Sequence, residues 1–247
     1  MPISGKEHRY IIMHKTDAHW EGGALPDSNL IARVGALLGQ LSSAGILQAG
    51  EGLRPTAEGV RLRFAAGECE VIPGPFSGGS ELPAGFSILR AASLDEAVEW
   101  ATREADILGD VEIDIRPVTE PWDIGLETRP ANLSTRRYMV LRKATAETEA
   151  GVSPSPAARS RLSQLIEKTT GAGMHLATET MAPSRKGRRY KNSSNGVTFF
   201  DGPMVETKEL IGGYIIVTVA SLEEACRWAE HYIDVVAAEE VDVRELE

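Results

Sequence analysis

The sequence predicts an α+β protein made of two tandem β-α-β-β-α-β units, and three observations predict it. First, the chain is written twice. RYIIMHK (9–15) returns as RYMVLRK (137–143), GFSILRAASLDEAVEWA (85–101) as GYIIVTVASLEEACRWA (213–229), and EIDIRPV (112–118) as EVDVREL (240–246). The offset is 128 residues each time, so this is a tandem duplication. Second, each copy runs through strand and helix periods in the same order. Third, a sheet with helices on one face needs cover for its other face, and a second copy in the same chain supplies it.

Each copy justifies its elements in turn. An apolar, β-branched run opens it as a strand (Tyr10–His14; Tyr138–Arg142). A helix follows, with apolar residues at Leu30, Val34, Leu37, Leu38 and Leu41, and at Leu162, Leu165 and Ile166. Ala44-Gly45 and Ala172-Gly173 end those helices, because glycine accepts the left-handed conformation a helix end favours. Two short strands come next, over about 46–53 and 59–72 and over about 174–181 and 187–200. After a Gly-Pro turn a further strand is expected at 85–91 and 213–219. Ser93-Leu-Asp-Glu96 and Ser221-Leu-Glu-Glu224 read as capping boxes, with Trp100 and Trp228 on the apolar faces of the helices that follow. The last strand alternates: Val111, Ile113 and Ile115 against Glu112, Asp114 and Arg116.

That order is the ferredoxin-like unit, and two fused copies predict an intrachain pseudo-twofold dimeric αβ barrel. The units are expected at 7–120 and 136–247, with 121–135, which holds Pro121 and Pro130, as linker.

Composition narrows the function classes. Hydrophobic residues make up 42% and charged residues 25%, as in a globular protein. A net charge of −10 argues against nucleic acid or an anionic membrane as partner. The basic run Ser184–Lys191 falls on an expected hairpin and reads as a solvated surface. Cys69 and Cys226 form no C-x-x-C, which suggests a reducing compartment, and no signal peptide or spanning run is seen; a cytoplasmic location is expected.

DGPMVETKEL (201–210), KATAETEAGVSPS (143–155), AGEGLRP (49–55) and EIDIRPV (112–118) resemble the YCII-related proteins, in particular their DGPF branch. The resemblance runs through the whole chain, once per copy. It implies the ferredoxin-like αβ-barrel fold and association through sheets. It also implies, more loosely, cofactor-free chemistry on small, often ring-derived acids, or a link to transcription through sigma factors. One branch carries a His at the start of the first helix and an Asp near its end. Here the first position reads Asp27-Ser-Asn-Leu30 or Pro156-Ala-Ala-Arg159, with no His, so that mechanism does not carry over.

The copies diverge at the Gly-Pro turn. Asp201-Gly-Pro-Met-Val-Glu206-Thr-Lys208-Glu209 stands where the first copy has Pro73-Gly-Pro-Phe-Ser-Gly78-Gly-Ser80-Glu81. The turn is therefore built without the charges at 201, 206 and 208, which either vary freely or serve the second copy alone. Glu51 and Glu179 recur at the end of the second strand, and Lys15 and Lys143 close the first strand. These residues fit acid–base chemistry with Asp201, Glu179, Glu51 and His14 as catalytic candidates, and Lys143, Lys208 and Lys15 as charge partners for an anion. His14, Asp17 and His19 lack a further anchor, so no metal site is expected. The expected function is a cofactor-independent isomerase, lyase or dehalogenase-type enzyme acting on a small organic acid. The alternative is a non-catalytic ligand-binding or regulatory module, and the sequence leaves a higher homo-oligomer open.

Overall fold

The computed structural model describes residues 7–76, 82–204 and 210–247. The first repeat runs β1 (His8–Lys15), α1 (Ala18–Glu21), α2 (Ser28–Ser43), β2 (Leu47–Gly52), β3 (Val60–Ala65), β4 (Glu68–Pro73), β5 (Pro83–Ala91), α3 (Leu94–Leu108) and β6 (Glu112–Pro117). The second repeat begins with β7 (Arg136–Lys143), α4 (Ala146–Ala150), α5 (Pro156–Gly171) and β8 (His175–Thr180). It closes with β9 (Arg188–Ser193), β10 (Gly196–Asp201), β11 (Ile211–Val219), α6 (Leu222–Val236) and β12 (Glu240–Glu245).

The repeats and the compact units divide the chain differently. Unit 1 consists of Met1–Gly52 with Met181–Glu247, and unit 2 is Leu53–Thr180. Unit 1 holds a six-stranded sheet in the order β10-β9-β12-β1-β11-β2, and unit 2 a six-stranded sheet in the order β4-β3-β6-β7-β5-β8. All pairings are antiparallel. β1 thus pairs with β11 and β12 of the other repeat, and β7 pairs with β5 and β6. Each unit takes the opening strand, helix and second strand of one repeat and the rest from the other. β5 and β11 are equivalent strands of the two repeats, and each receives the opening strand of the other repeat, β7 on β5 and β1 on β11.

In unit 1, Tyr10, Ile12, Ile215, Val217, Val241 and Val243 face Leu37 and Leu41 of α2 and Ala225, Ala229 and Ile233 of α6. In unit 2, Leu62, Leu89, Ile113, Ile115 and Val140 face Trp100 and Ala101 of α3, with Leu165 of α5 packed against them. Trp100 is buried and donates its Nε1–H to Thr169, 3.2 Å away. Its counterpart Trp228 is only partly buried.

Two sequence details change in the structure. Ser93 and Ser221 accept from the amides of Glu96 and Glu224, as expected of caps. The reciprocal carboxylates bond one residue earlier than a capping box requires, to Ala92 N and Ala220 N. The expected strands 59–72 and 187–200 are each a hairpin, β3–β4 and β9–β10. Among the described residues no helix is long and apolar enough to cross a membrane.

Candidate functional site

The side chains of β1 alternate, so Tyr10, Ile12 and His14 point to the helices while Ile11, Met13 and Lys15 lie on the opposite face. On that opposite face the register lines up Arg189, Asp242, Met13, Tyr214 and Glu51 across β9, β12, β1, β11 and β2. Unit 2 repeats the row as Arg61, Asp114, Leu141, Phe86 and Glu179. Lys15 and Lys143 sit two residues along their strands from Met13 and Leu141, on the same faces.

Each row contains a buried ion network. Lys15 Nζ lies 3.0 Å from Asp242, which also accepts from Arg189 at 2.5 and 2.7 Å. Lys143 Nζ lies 2.6 Å from Asp114, which accepts from Arg61 at 2.6 and 2.9 Å. Burial alone would raise both aspartates. Lys15 with Arg189, and Lys143 with Arg61, outweigh it and hold the carboxyls below their ordinary range. Arg116 donates to the carbonyl of Arg54 at 2.6 and 2.9 Å, and Arg244 donates in the same way to that of Ala182. The polar positions of EIDIRPV and EVDVREL, retained in both copies, were the sequence signal for these networks. Their alternation with apolar residues marks two faces without showing burial, and Asp114 and Asp242 are almost wholly buried.

The sequence candidates fall into separate places. Glu51 and Glu179 are half-buried on β2 and β8, on the same face as the nearest ion network. Lys15 and Lys143 are buried within those networks. His14 lies on the helix side of its sheet, with Nδ1 2.7 Å from the hydroxyl of the buried Tyr232. Asp201 is exposed at the end of β10, 2.7 Å from Arg188, which stacks over Phe199. Asp17 caps α1 by accepting from the amides of His19 and Trp20. Glu206, Lys208, Glu209 and Glu81 lie outside the described residues.

The Gly-Pro turn has a steric explanation. A Cβ on Gly74 would fall 1.8 Å from Thr56 O, and one on Gly202 would fall 1.9 Å from Ser184 O. Glycine alone fits that close approach, which is why both copies keep it while the flanking charges differ. Both Gly-Pro bonds, 74–75 and 202–203, are cis.

A further polar group, not singled out from the sequence, lies between sheet and helix in unit 2. His175 Nε2 is 2.6 Å from Thr178 Oγ1, which is 2.9 Å from Ser87 Oγ. Ser87 donates to Glu104 Oε1 at 3.0 Å. Arg142 Nη1 lies 3.7 Å from Asp110. Burial pushes Glu104 up to about 7 and Asp110 up to about 6, with the positive charge of Arg142 opposing both shifts. The corresponding residues of unit 1 are Leu47, Gly50, Ile215, Tyr232, His14 and Ala238. Glu104 stands in the middle of an apolar helix face, the one signal that could have drawn attention to it. Among the described residues no group of three or more His, Cys, Asp or Glu is arranged to hold a metal ion.

The YCII-related domain model matches residues 9–120 and again 137–246. The chain belongs to the YCII-related family. One relative, a protein of Rhizobium meliloti (strain 1021) described only as uncharacterized, is 36% identical over 75 residues, 30% of this chain and 60% of its own length. This chain therefore spans less than two thirds of that relative's length. No solved structure matches the chain.

Proposed function

We propose that this YCII-related protein binds a small organic acid on the helix-free face of a sheet and transforms it by cofactor-independent acid–base chemistry, with Glu51 or Glu179 as the proton-transfer group. One observation carries the reading. Beside each half-buried glutamate, the same face carries three cations (Lys15, Arg189 and Arg244, or Lys143, Arg61 and Arg116) against two carboxylates (Asp242 and Glu240, or Asp114 and Glu112). The ionised glutamate balances that excess; once it takes up a proton the face carries one excess positive charge, which attracts an anion. Lys15 and Lys143 then act through the field they share with their aspartates. His14 with Tyr232 is a second proton-transfer candidate in unit 1, and Asp201 and Lys208 belong to the turn region proposed from the sequence. The intrachain αβ barrel, the cytoplasmic location and a higher homo-oligomer are parts of the same proposal.

A non-catalytic binding module is the second reading. Its support is that both lysines are already engaged by aspartates, an arrangement suited to holding a ligand-binding face rigid. Thermal melting and turnover against a panel of small carboxylic and phenolic acids test both. An acid that raises the melting temperature, with turnover lost in Glu51→Gln or Glu179→Gln, supports the enzyme. Stabilisation without turnover supports the module. Equal shifts in parent and both variants would overturn the assignment of the glutamates.

A further inference from the structure

Unit 2 buries two carboxylates and one guanidinium between its sheet and α3, at positions where unit 1 has Tyr232, Ala238 and His14. We propose that this cluster is a proton-binding site, in which Glu104 holds one proton in the folded protein and exchanges it along Ser87, Thr178 and His175. The inference is independent of the ligand proposed above.

Charge balance is the first argument. Glu104 is 0% exposed, Asp110 8% and Arg142 6%. With both acids ionised, the cluster would carry an uncompensated negative charge away from water, which is costly; one bound proton removes it. Hydrogen bonding is the second. Glu104 Oε2, Asp110 Oδ2 and Arg142 Nε have no hydrogen-bond partner among the described residues. An unsatisfied oxygen costs less on a neutral carboxyl group than on a carboxylate. Burial acts in the same direction, raising the pKa of Glu104 to about 7.

The path is the third argument. Glu104 faces Ser87 from β5, Arg142 from β7 and Asp110 from the turn after α3. Beyond Ser87 lie Thr178 and His175 of β8, and Thr170 Oγ1 of α5 is 3.3 Å from His175 Nδ1. Of these groups, only Arg142, Asp110 and His175 carry or change charge. When Glu104 is ionised, Ser87 donates to it. When Glu104 is protonated the sense reverses: Glu104 donates to Ser87, Ser87 to Thr178 and Thr178 to His175 Nε2. Each hydroxyl gives one proton as it accepts another, so both remain neutral after transfer. His175, whose burial lowers its imidazole pKa and so favours the neutral ring, takes the proton at Nε2 and releases the one on Nδ1 toward Thr170 and solvent. His175 is itself buried, at the first position of an edge strand, and its Nδ1 side faces the exposed Thr170.

A group with a raised carboxyl pKa stabilises the fold below its unfolded pKa, and that stabilisation is lost as pH rises through the folded pKa. Helix α3 is therefore expected to lose hydrogen-exchange protection as pH rises from the ordinary carboxyl range to about 7, after correction for intrinsic exchange, by up to about tenfold per pH unit, and to level off above it. The matching helix α6 should not follow it. Difference infrared spectra between pH 6 and pH 8 should show a neutral carboxyl band that Glu104→Gln abolishes. Ser87→Ala removes a bond that favours the ionised form and should move the midpoint upward. Parallel loss of protection in α3 and α6, or no neutral carboxyl band in the wild-type protein, would overturn the proposal. The infrared measurement on the wild-type protein decides the matter even where a variant fails to fold.

Discussion

Units 1 and 2 share strand order, register and the Lys–Asp–Arg network on one face of the sheet, yet differ on the face that meets the helices. Unit 2 has Glu104, Arg142, Asp110, Ser87, Thr178 and His175 there; unit 1 has Tyr232, His14, Ala238, Ile215, Gly50 and Leu47. The retained residues are those whose loss would strand a buried charge. The changed residues form a separate polar layer, which unit 1 replaces with a His14–Tyr232 hydrogen bond and apolar neighbours. Duplication thus left a common frame and freed one polar layer to specialise.

The largest expected effect tests the common frame. Asp242→Ala and Asp114→Ala each take the carboxylate from a buried Lys and leave the neighbouring Arg its longer contact to Glu240 or Glu112, at a cost of about 3–5 kcal/mol. Denaturant unfolding should find the two losses similar. A large loss in one and a negligible loss in the other would break the equivalence of the units.

The next effect tests the difference, and its signs follow from the pKa directions. Asp114 and Asp242 are held low, so their contribution is present above the ordinary aspartate pKa and is lost as pH falls through their folded values. Acid should therefore weaken both units alike. Glu104 and Asp110 are raised, to about 7 and about 6, so their contribution is lost as pH rises through those values. Rising pH should weaken unit 2 alone, and hydrogen exchange resolved by segment checks both limbs.

The smallest effect concerns the turns. Asp201→Asn removes an exposed pair with Arg188, worth about 0.5 kcal/mol or less. A thermal melt should barely move. Lost ligand stabilisation with an unchanged melt would make the carboxylate of Asp201 functional.

Much of the frame was legible in the sequence because period and duplication report it. The strands, the long helices and the Ser93 and Ser221 caps follow from local patterns. The exchange of opening strands was not legible, because GFSILRA and GYIIVTV present equivalent edges and one-dimensional patterning does not say which is taken. Glu51 and Glu179 were visible as retained acids, but their position beside the ion networks depends on that exchange. The burial of Asp114 and Asp242 was not legible, because alternation marks two faces without saying that both are buried. Glu104 was hidden for the opposite reason: one carboxylate among apolar neighbours does not disturb a helical period.

The exchange of strands underlies each network, since Lys15 and Asp242 come from different repeats, as do Lys143 and Asp114. Backbone nuclear Overhauser contacts in isotope-labelled protein test it most directly. The account predicts contacts between Ile11 and Ile216 and between Met139 and Ile88. Contacts from Ile11 to Ile88 and from Met139 to Ile216 would contradict it.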